Sequence, residues 1–185
     1  KPLTLTNLLP MRQVITTANL IISANGGTTA AGSSIGLTTE EDRRRFHQLR
    51  AKSDLILIGG NTARREPYKR TPIPLYILTH GKVRLQPKNQ LVKQFMMPVA
   101  DLIAEIASNF PPIDSKLPIN LLVEAGPKLL LQMVEQGLID NLYLTTNLEK
   151  DGENKIAVDK LTGSFNLISS EKIDSCQFEY YKRLA

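Results

Sequence analysis

Short runs of apolar residues alternate along the chain with longer segments in which apolar residues recur every three or four positions. The runs lie at 13–23, 55–58, 75–78, 119–123 and 141–146. Runs rich in apolar and β-branched residues are typical of strands, and the run 55–58, which no polar residue interrupts, is typical of a strand covered on both faces. Helical spacing follows from residue 39, across 99–110 and from residue 127. This alternation predicts an α/β fold with a mainly parallel central sheet, helices on both faces and right-handed crossovers.

The first helix and the corner after the next strand form the best-defined stretch. Thr38 is followed three positions later by Glu41, a capping-box spacing that predicts a helix start near Thr39. The strand 55–58 then runs into Gly59-Gly60-Asn61-Thr62. Glycines at a strand end allow a sharp turn and let a ligand come close to the backbone amides. This corner is therefore predicted to form the floor of a cofactor site.

A second corner follows the strand 119–123. Gly126-Pro127 stands where the next helix begins. Glycine at the N-cap allows close approach, proline at the first helical position needs no donor, and the free amides beyond it attract an anion. The pattern favours a pyrophosphate site, although a simple strand-to-helix turn has the same appearance. GxGxxG and P-loop patterns are absent from the sequence.

Two other segments lack a clear apolar period. Residues 28–36 are small and polar and are predicted to be a loop, either a lid over a ligand or a flexible connection. From residue 151 onward turn residues are frequent, and the segment 177–181 predicts a hairpin or an antiparallel edge.

Composition limits the class of protein. The 185 residues are expected to form a single domain, 1–185, and a net charge of +5 favours anionic ligands without the dense basic stripe of a nucleic-acid binder. We therefore expect no nucleic-acid partner.

Cys176 is the only cysteine in the sequence, so the chain has no intrachain disulfide, and a reduced cytoplasmic setting fits best. CxxC spacing and a His pair are absent, so no metal site is expected, and the apolar runs are too short for a membrane span.

Seven collinear segments together resemble the pyrimidine reductase domain of riboflavin biosynthesis. They are 23–26, 36–43, 49–54, 59–62, 66–67, 78–80 and 123–126. The resemblance covers roughly residues 14 to 146. It implies a three-layer, dihydrofolate-reductase-like fold with an antiparallel C-terminal edge, NADPH as the cofactor, and a homodimer.

The resemblance also implies a cofactor-binding set. Its members are Gly60, Thr62, Glu66, Thr79, His80, Gly126, Pro127, Lys128, Leu129 and Leu130. The helix that begins at Pro127 would hold the pyrophosphate, Thr79 and His80 would lie on the adenosine side, and Lys82 or Arg84 would supply charge for the 2′-phosphate.

On the substrate side, the resemblance points to Ser34, Arg50, Glu124 and Arg70. Arg50 would grip the substrate phosphate, with Arg70 as a further candidate, and Glu124 would hydrogen-bond the pyrimidine amino groups. Two other interpretations remain open: Arg50 complements the dipole at the end of its helix, and Glu124 finds a backbone partner. The proton donor is left open between water and Glu124.

The implied activity is that of an NADPH-dependent 5-amino-6-(5-phosphoribosylamino)uracil reductase, which opens the ribose to a ribityl chain. Its substrate would be a small phosphorylated pyrimidine. Two alternatives stay open. One is a reductase of the same fold that acts on a different small substrate, and the other is a non-catalytic nucleotide-binding protein.

Overall fold

The computed structural model describes residues 11–66, 68–81 and 89–185. Within these ranges the strands are β1 (Val14–Ser23), β2 (Gly27–Thr29), β3 (Leu55–Gly59), β4 (Leu75–Leu78), β5 (Val92–Phe95), β6 (Ile119–Val123), β7 (Asn141–Asn147), β8 (Glu153–Lys155), β9 (Phe165–Ile173) and β10 (Cys176–Arg183). The helices are α1 (Glu40–Ala51), α2 (Gly60–Arg65), α3 (Val99–Asn109), α4 (Pro127–Glu135) and α5 (Val158–Thr162).

Eight of these strands form the central sheet, in the order β5-β4-β3-β6-β1-β7-β10-β9. The first six strands in this order are parallel to one another. β10 runs antiparallel to both β7 and β9. The predicted parallel sheet with an antiparallel C-terminal edge is therefore confirmed. Because parallel strands point the same way, β3, β4, β6 and β1 all end at one edge of the sheet.

The two faces of the sheet carry separate apolar clusters. Leu55 and Leu57 of β3 pack in a cluster that also contains residues of α3 and α4. Ile56 and Ile58, which alternate with them, pack in a second cluster with Leu49 of α1 and Ala63 of α2. All four β3 side chains are fully buried. Every side chain of β3 is apolar because helices cover the sheet on both faces. The helices and the sheet together form the predicted three layers.

The start of α1 differs by one residue from the prediction. Thr39, not Thr38, is the N-cap, and its hydroxyl accepts a hydrogen bond from the Asp42 amide at 3.2 Å. Glu41 does not close a capping box. Its carboxylate instead pairs with Arg44 at 2.6 Å and Arg45 at 2.7 Å, since the side chains three and four positions later offer charged donors.

The predicted loop 28–36 is partly regular. β2 pairs with the distant β8 to form a two-stranded sheet, and a 3₁₀ turn covers Ser34–Leu37. The partner strand lies more than 120 residues away, so local periodicity could not reveal this pairing. β5, β8 and α5 were not predicted because they are short and weakly apolar.

None of the helices in the described ranges has both the length and the apolar character that crossing a membrane requires. Cys176 is buried with a free thiol.

Candidate active site

The two glycine corners lie side by side. β3 and β6 are neighbours in the sheet, with Leu57 opposite Val123. A Cβ built on Gly126 would lie 3.5 Å from Thr62 Oγ1, and a Cβ on Gly59 would lie 3.5 Å from Leu129 Cδ2. The start of α2 therefore contacts the start of α4 at the carboxyl edge of the sheet.

A cleft of about 820 Å³ opens at this edge. Its size is typical of pockets that enclose small molecules and cofactors. Every residue of the predicted cofactor and substrate sets lines it, apart from Leu130. Lys82 and Arg84, predicted for the 2′-phosphate, lie outside the described residues, as does Pro67.

Leu130 does not line the cleft. Its side chain is fully buried in the core, and its amide donates to the Gly126 carbonyl at 3.1 Å. Neither group is available to a ligand, because α4 turns this residue toward the sheet. The prediction of a cofactor contact at Leu130 is wrong.

The start of α4 has the features of an anion site. Gly126 is the N-cap, Pro127 occupies the first turn, and no described side chain caps this end. The Leu130 amide donates the first hydrogen bond within this helix, to the Gly126 carbonyl. The amides of Lys128 and Leu129 come before it and have no acceptor inside the helix. These two N–H groups and the helix dipole favour a bound anion at the cleft wall.

At the other corner, Gly60 packs tightly against the end of β4. A Cβ at Gly60 would come within 2.9 Å of Thr79 Oγ1, closer than real contacts allow. The Thr79 hydroxyl in turn accepts from the Gly81 amide at 3.2 Å. Glycine is thus required at this position by packing, and the cleft floor here is backbone.

Glu66 contacts the loop before α1. Its carboxylate accepts from the Ser33 hydroxyl at 2.9 Å and from the Ser34 amide at 2.8 Å. Glu66 lines the cleft, but both carboxylate oxygens are engaged by the loop. The residue therefore fixes the 3₁₀ turn against α2, a role that the sequence analysis did not assign to it.

Arg50 and Glu124 form a buried ion pair across the cleft floor. Arg50 Nε lies 2.8 Å from Oε1 of Glu124, and Nη2 lies 2.7 Å from Oε2. The two side chains are 13% and 4% exposed. The guanidinium also stacks over Phe46, at 4.1 Å from the ring centroid. Burial alone would lower the pKa of Arg50, but the hydrogen bonds and charge of Glu124 outweigh it and raise the pKa.

Tyr68 completes this group. Its hydroxyl donates to Glu124 Oε2 at 2.6 Å, and burial together with the Glu124 charge raises the pKa of Tyr68 well above its ordinary value. Glu124 thus accepts three hydrogen bonds from described side chains. The sequence analysis left open a helix-dipole role for Arg50 and a backbone partner for Glu124, and neither interpretation includes this ion pair. It did not predict Tyr68 as a member of the site. The one available signal was the cost of an unpaired buried carboxylate.

Several cations line the rest of the cleft. Arg43, Arg65, Arg70 and Lys128 are in its wall, and none of them belongs to an ion pair within the described ranges. A cleft with this excess of positive charge attracts anionic ligands. Among the residues that the structure describes, no group of three or more His, Cys, Asp or Glu side chains is placed to hold a metal ion.

One cleft residue with chemical potential was missed by sequence reasoning. Asp42, in the first turn of α1, lines the cleft and is only 8% exposed. Burial raises the pKa of its carboxyl, although a hydrogen bond with Thr145 and the charges of Arg43 and Arg45 oppose the rise. Acidic residues in a first helical turn are usually exposed, so the sequence gives little warning of this burial.

The sheet order, the two corners and the cleft define a dihydrofolate-reductase-like α/β fold. Acinetobacter baumannii RibD aligns with a TM-score of 0.72 at 16% identity, over 94% of this chain and 59% of that one. A pyrimidine reductase-like protein from Corynebacterium diphtheriae gives 0.68 at 20% identity, over 99% and 96%. Dihydrofolate reductase from Enterococcus faecalis, complexed with NADP(H), gives 0.65 at 14% identity, over 94% and 98%.

Sequence comparison gives one family match within this fold. Residues 14–105 match the RibD C-terminal domain, which confirms the resemblance drawn from the sequence over those residues. The chain spans about three fifths of the length of the Acinetobacter RibD chain. No curated protein sequence matches it.

Proposed function

We propose that this chain is an NADPH-dependent reductase that acts on 5-amino-6-(5-phosphoribosylamino)uracil and converts its ribose to a ribityl chain. The family match and the reductases that share the fold support an oxidoreductase. The choice of NADPH and of this substrate is the proposal.

One observation carries the proposal: the corners after β3 and β6 meet in the same cleft. Gly60 offers a backbone floor, and the Lys128 and Leu129 amides offer a positive helix end. A phosphorylated dinucleotide needs both a close backbone approach and a seat for its pyrophosphate. The excess of cationic side chains adds attraction for its negative charge.

The bound cofactor would supply hydride chemistry, and the residues of this chain supply binding, orientation and exclusion of water. Glu124 is held as a fixed acceptor. Arg50 and Tyr68 use one lone pair on Oε1 and two on Oε2, so Oε1 retains one that no described group uses. That position suits one N–H donor of a pyrimidine amino group.

The pairing of Arg50 with Glu124 argues against Arg50 as the group that binds the substrate phosphate. Because its guanidinium is already paired with Glu124, the substrate phosphate is left to the cations that are unpaired within the described ranges, Arg43, Arg65 and Arg70. Arg70 was a candidate from the sequence. We therefore place the phosphate with this group and the pyrimidine with Glu124.

The test is to incubate the purified chain with NADPH and this aminopyrimidine ribosyl phosphate and to follow the loss of NADPH absorbance with product analysis. We expect turnover with NADPH and formation of the ribityl product. Gly126→Val should abolish turnover by filling the corner beside Thr62, whereas Gly126→Ala, whose Cβ makes an ordinary 3.5 Å contact, should retain most of it. A wild-type chain that forms no ribityl product would refute this assignment.

A second candidate is a reductase of the same fold with a different small substrate. The Arg50–Glu124 pair favours it, because two of the four residues predicted to recognise the phosphorylated pyrimidine are bound to each other. NADPH binding without turnover of the pyrimidine, together with NADPH oxidation by another carbonyl or imine compound, would support this candidate. NADPH binding with no substrate of any kind would point to a non-catalytic nucleotide-binding protein.

A further inference from the structure

Three carboxyl groups line the cleft, and they differ in what surrounds them. Glu124 is an acceptor for Arg50 and Tyr68, and Glu66 is an acceptor for the Ser33 and Ser34 groups. Neighbouring groups therefore hold both side chains as hydrogen-bond acceptors. This removes Glu124 from the two donors that the sequence left open.

Asp42 is the third carboxyl group and has a different environment. It is buried, and within the described ranges it forms no ion pair. The side chain that lowers the pKa of its carboxyl by hydrogen bonding is the neutral Thr145 on β7. Thr145 lies opposite Ile21 of β1 in the sheet register, and Ile21 itself lines the cleft. Asp42 thus sits over the β1–β7 pair at the inner wall.

The charges around Asp42 come mainly from its own helix. Arg43 and Arg45 lower its pKa, but Arg45 is already paired with Glu41 and Glu171. From the sheet, the group that acts on Asp42 is the Thr145 hydroxyl. Burial is the largest influence, and it favours the protonated form. A bound ligand would exclude more water and act in the same direction.

We propose that Asp42 is the general acid of this cleft, which donates a proton to the substrate heteroatom that leaves the carbon to which hydride is then delivered. The inference rests on the proposed function, because the proton acceptor is a substrate heteroatom. It goes beyond that function by assigning the proton to one residue.

For a ribosylamino substrate the step balances as follows. The Asp42 carboxyl gives its proton to the ring oxygen as the C1′–O4′ bond breaks, which leaves a hydroxyl at O4′ and a C1′=N iminium. A reduced nicotinamide dinucleotide, when bound, would supply the hydride that C1′ accepts, and the nitrogen would then recover its electron pair. Asp42 is left as a carboxylate and regains its proton from water.

Two histidines are the competing donors. His47 and His80 line the cleft, and both are exposed, so water reaches them freely. A general acid is most effective where its proton is delivered within a water-poor site. The burial of Asp42 favours it over both, and a His47→Gln variant tests that choice.

The experiment compares Asp42→Asn with Glu40→Gln, which removes a charge from the same helical turn at an exposed position outside the cleft. We expect Asp42→Asn to lower kcat about 100-fold, in the range ascribed to general acids. Its kcat/KM should lose the decline toward high pH that a protonated acid imposes. NADPH affinity, measured by fluorescence titration, should stay within about twofold for both variants, and Glu40→Gln should keep full activity.

A second readout does not depend on turnover. In protein labelled with ¹³C at the Asp side-chain carbons, the resonance lost in Asp42→Asn identifies Asp42, and its titration midpoint should lie above the ordinary value of about 3.9. A midpoint at or below that value overturns the proposal. So does an Asp42→Asn enzyme within threefold of wild type with an unchanged pH profile, or loss of the basic limb in His47→Gln instead. If the wild-type chain turns nothing over, the proposed substrate fails, and the midpoint alone decides whether Asp42 holds its proton.

Discussion

Arg50, Tyr68 and Glu124 form a buried charged group in which each side chain satisfies another. The Glu124 carboxylate is 4% exposed and Arg50 is 13% exposed, so loss of either leaves a charge with little access to water. Removing one partner of a buried pair is far more costly than removing both. The three side chains therefore behave as one unit in stability as well as in recognition.

We expect Arg50→Met to lower the free energy of unfolding by about 3 kcal/mol, because Glu124 is left with Tyr68 alone. The double variant Arg50→Met with Glu124→Met should regain most of this loss. Urea unfolding of the two single variants and the double variant measures the coupling. Effects that simply add would show that the pair in the structure does not carry energy.

Asp42 gives a prediction with a defined sign. Its pKa is raised in the folded chain, so Asp42 favours the folded state below its unfolded pKa, and this contribution is lost as pH rises through the folded pKa. Asn does not titrate. Asp42→Asn should therefore become progressively more stable than wild type as pH rises from the unfolded pKa of about 3.9 through the folded pKa, as measured by urea midpoints. A stability difference that shrinks with rising pH would contradict the buried, uncompensated carboxyl.

The residues of the site could be located from the sequence, but most of their contacts could not. Gly60, Gly126 and Glu124 follow strands, and parallel strands bring such positions to one edge. The pairing of Glu124 with Arg50 spans 74 positions and depends on how α1 lies over the sheet. Tyr68 and Asp42 carry no local pattern that distinguishes a buried side chain from an exposed one.

The loop before α1 is held by contacts from two other segments of the chain, at residue 66 and at residues 147–150. Glu66 binds Ser33 and Ser34, Lys150 Nζ donates to the Gly36 carbonyl at 2.6 Å, and Asn147 Nδ2 donates to the Leu37 carbonyl at 2.8 Å. The 3₁₀ turn Ser34–Leu37 is thereby fixed beside the cleft. The sequence offered a lid or a flexible connection here, and these contacts show an anchored loop.

We expect Glu66→Ala to release the turn. Hydrogen exchange followed by mass spectrometry should show faster exchange in peptides covering 30–37, since the Ser34 amide loses its carboxylate acceptor. Glu105→Ala, at an exposed position on α3, is the matched control and should leave these peptides unchanged. Equal exchange in Glu66→Ala and wild type would mean that Glu66 does not hold the turn.

One sheet joins strands from Val14 to Arg183 in the part of the chain that the structure describes, and the single domain 1–185 stays a prediction. The sheet ends on one side at β9, where Leu167 and Ile168 are 51% and 55% exposed. An exposed edge strand with apolar side chains is a surface that natural proteins usually cover. The homodimer implied by the family resemblance remains a prediction, and β9 is the surface we assign to it.

Light scattering coupled to size-exclusion chromatography tests this assignment. Wild type should have the mass of two chains, and the pair Leu167→Lys and Ile168→Lys should shift it to one chain by placing charge on the contact. Leu117→Lys, at a 72% exposed position far from β9 in the fold, should remain a dimer. A monomeric wild type would refute the dimer, and a dimer that survives the β9 changes would move its interface elsewhere.

The most direct measurement is calorimetric titration of NADPH into the wild-type chain, Gly126→Val and Gly126→Ala. If the corners after β3 and β6 hold the dinucleotide together, wild type binds one NADPH per chain, Gly126→Ala binds nearly as tightly, and Gly126→Val loses at least tenfold in affinity. A wild-type chain that does not bind NADPH, or a Gly126→Val chain that binds it as tightly as wild type, would contradict the account.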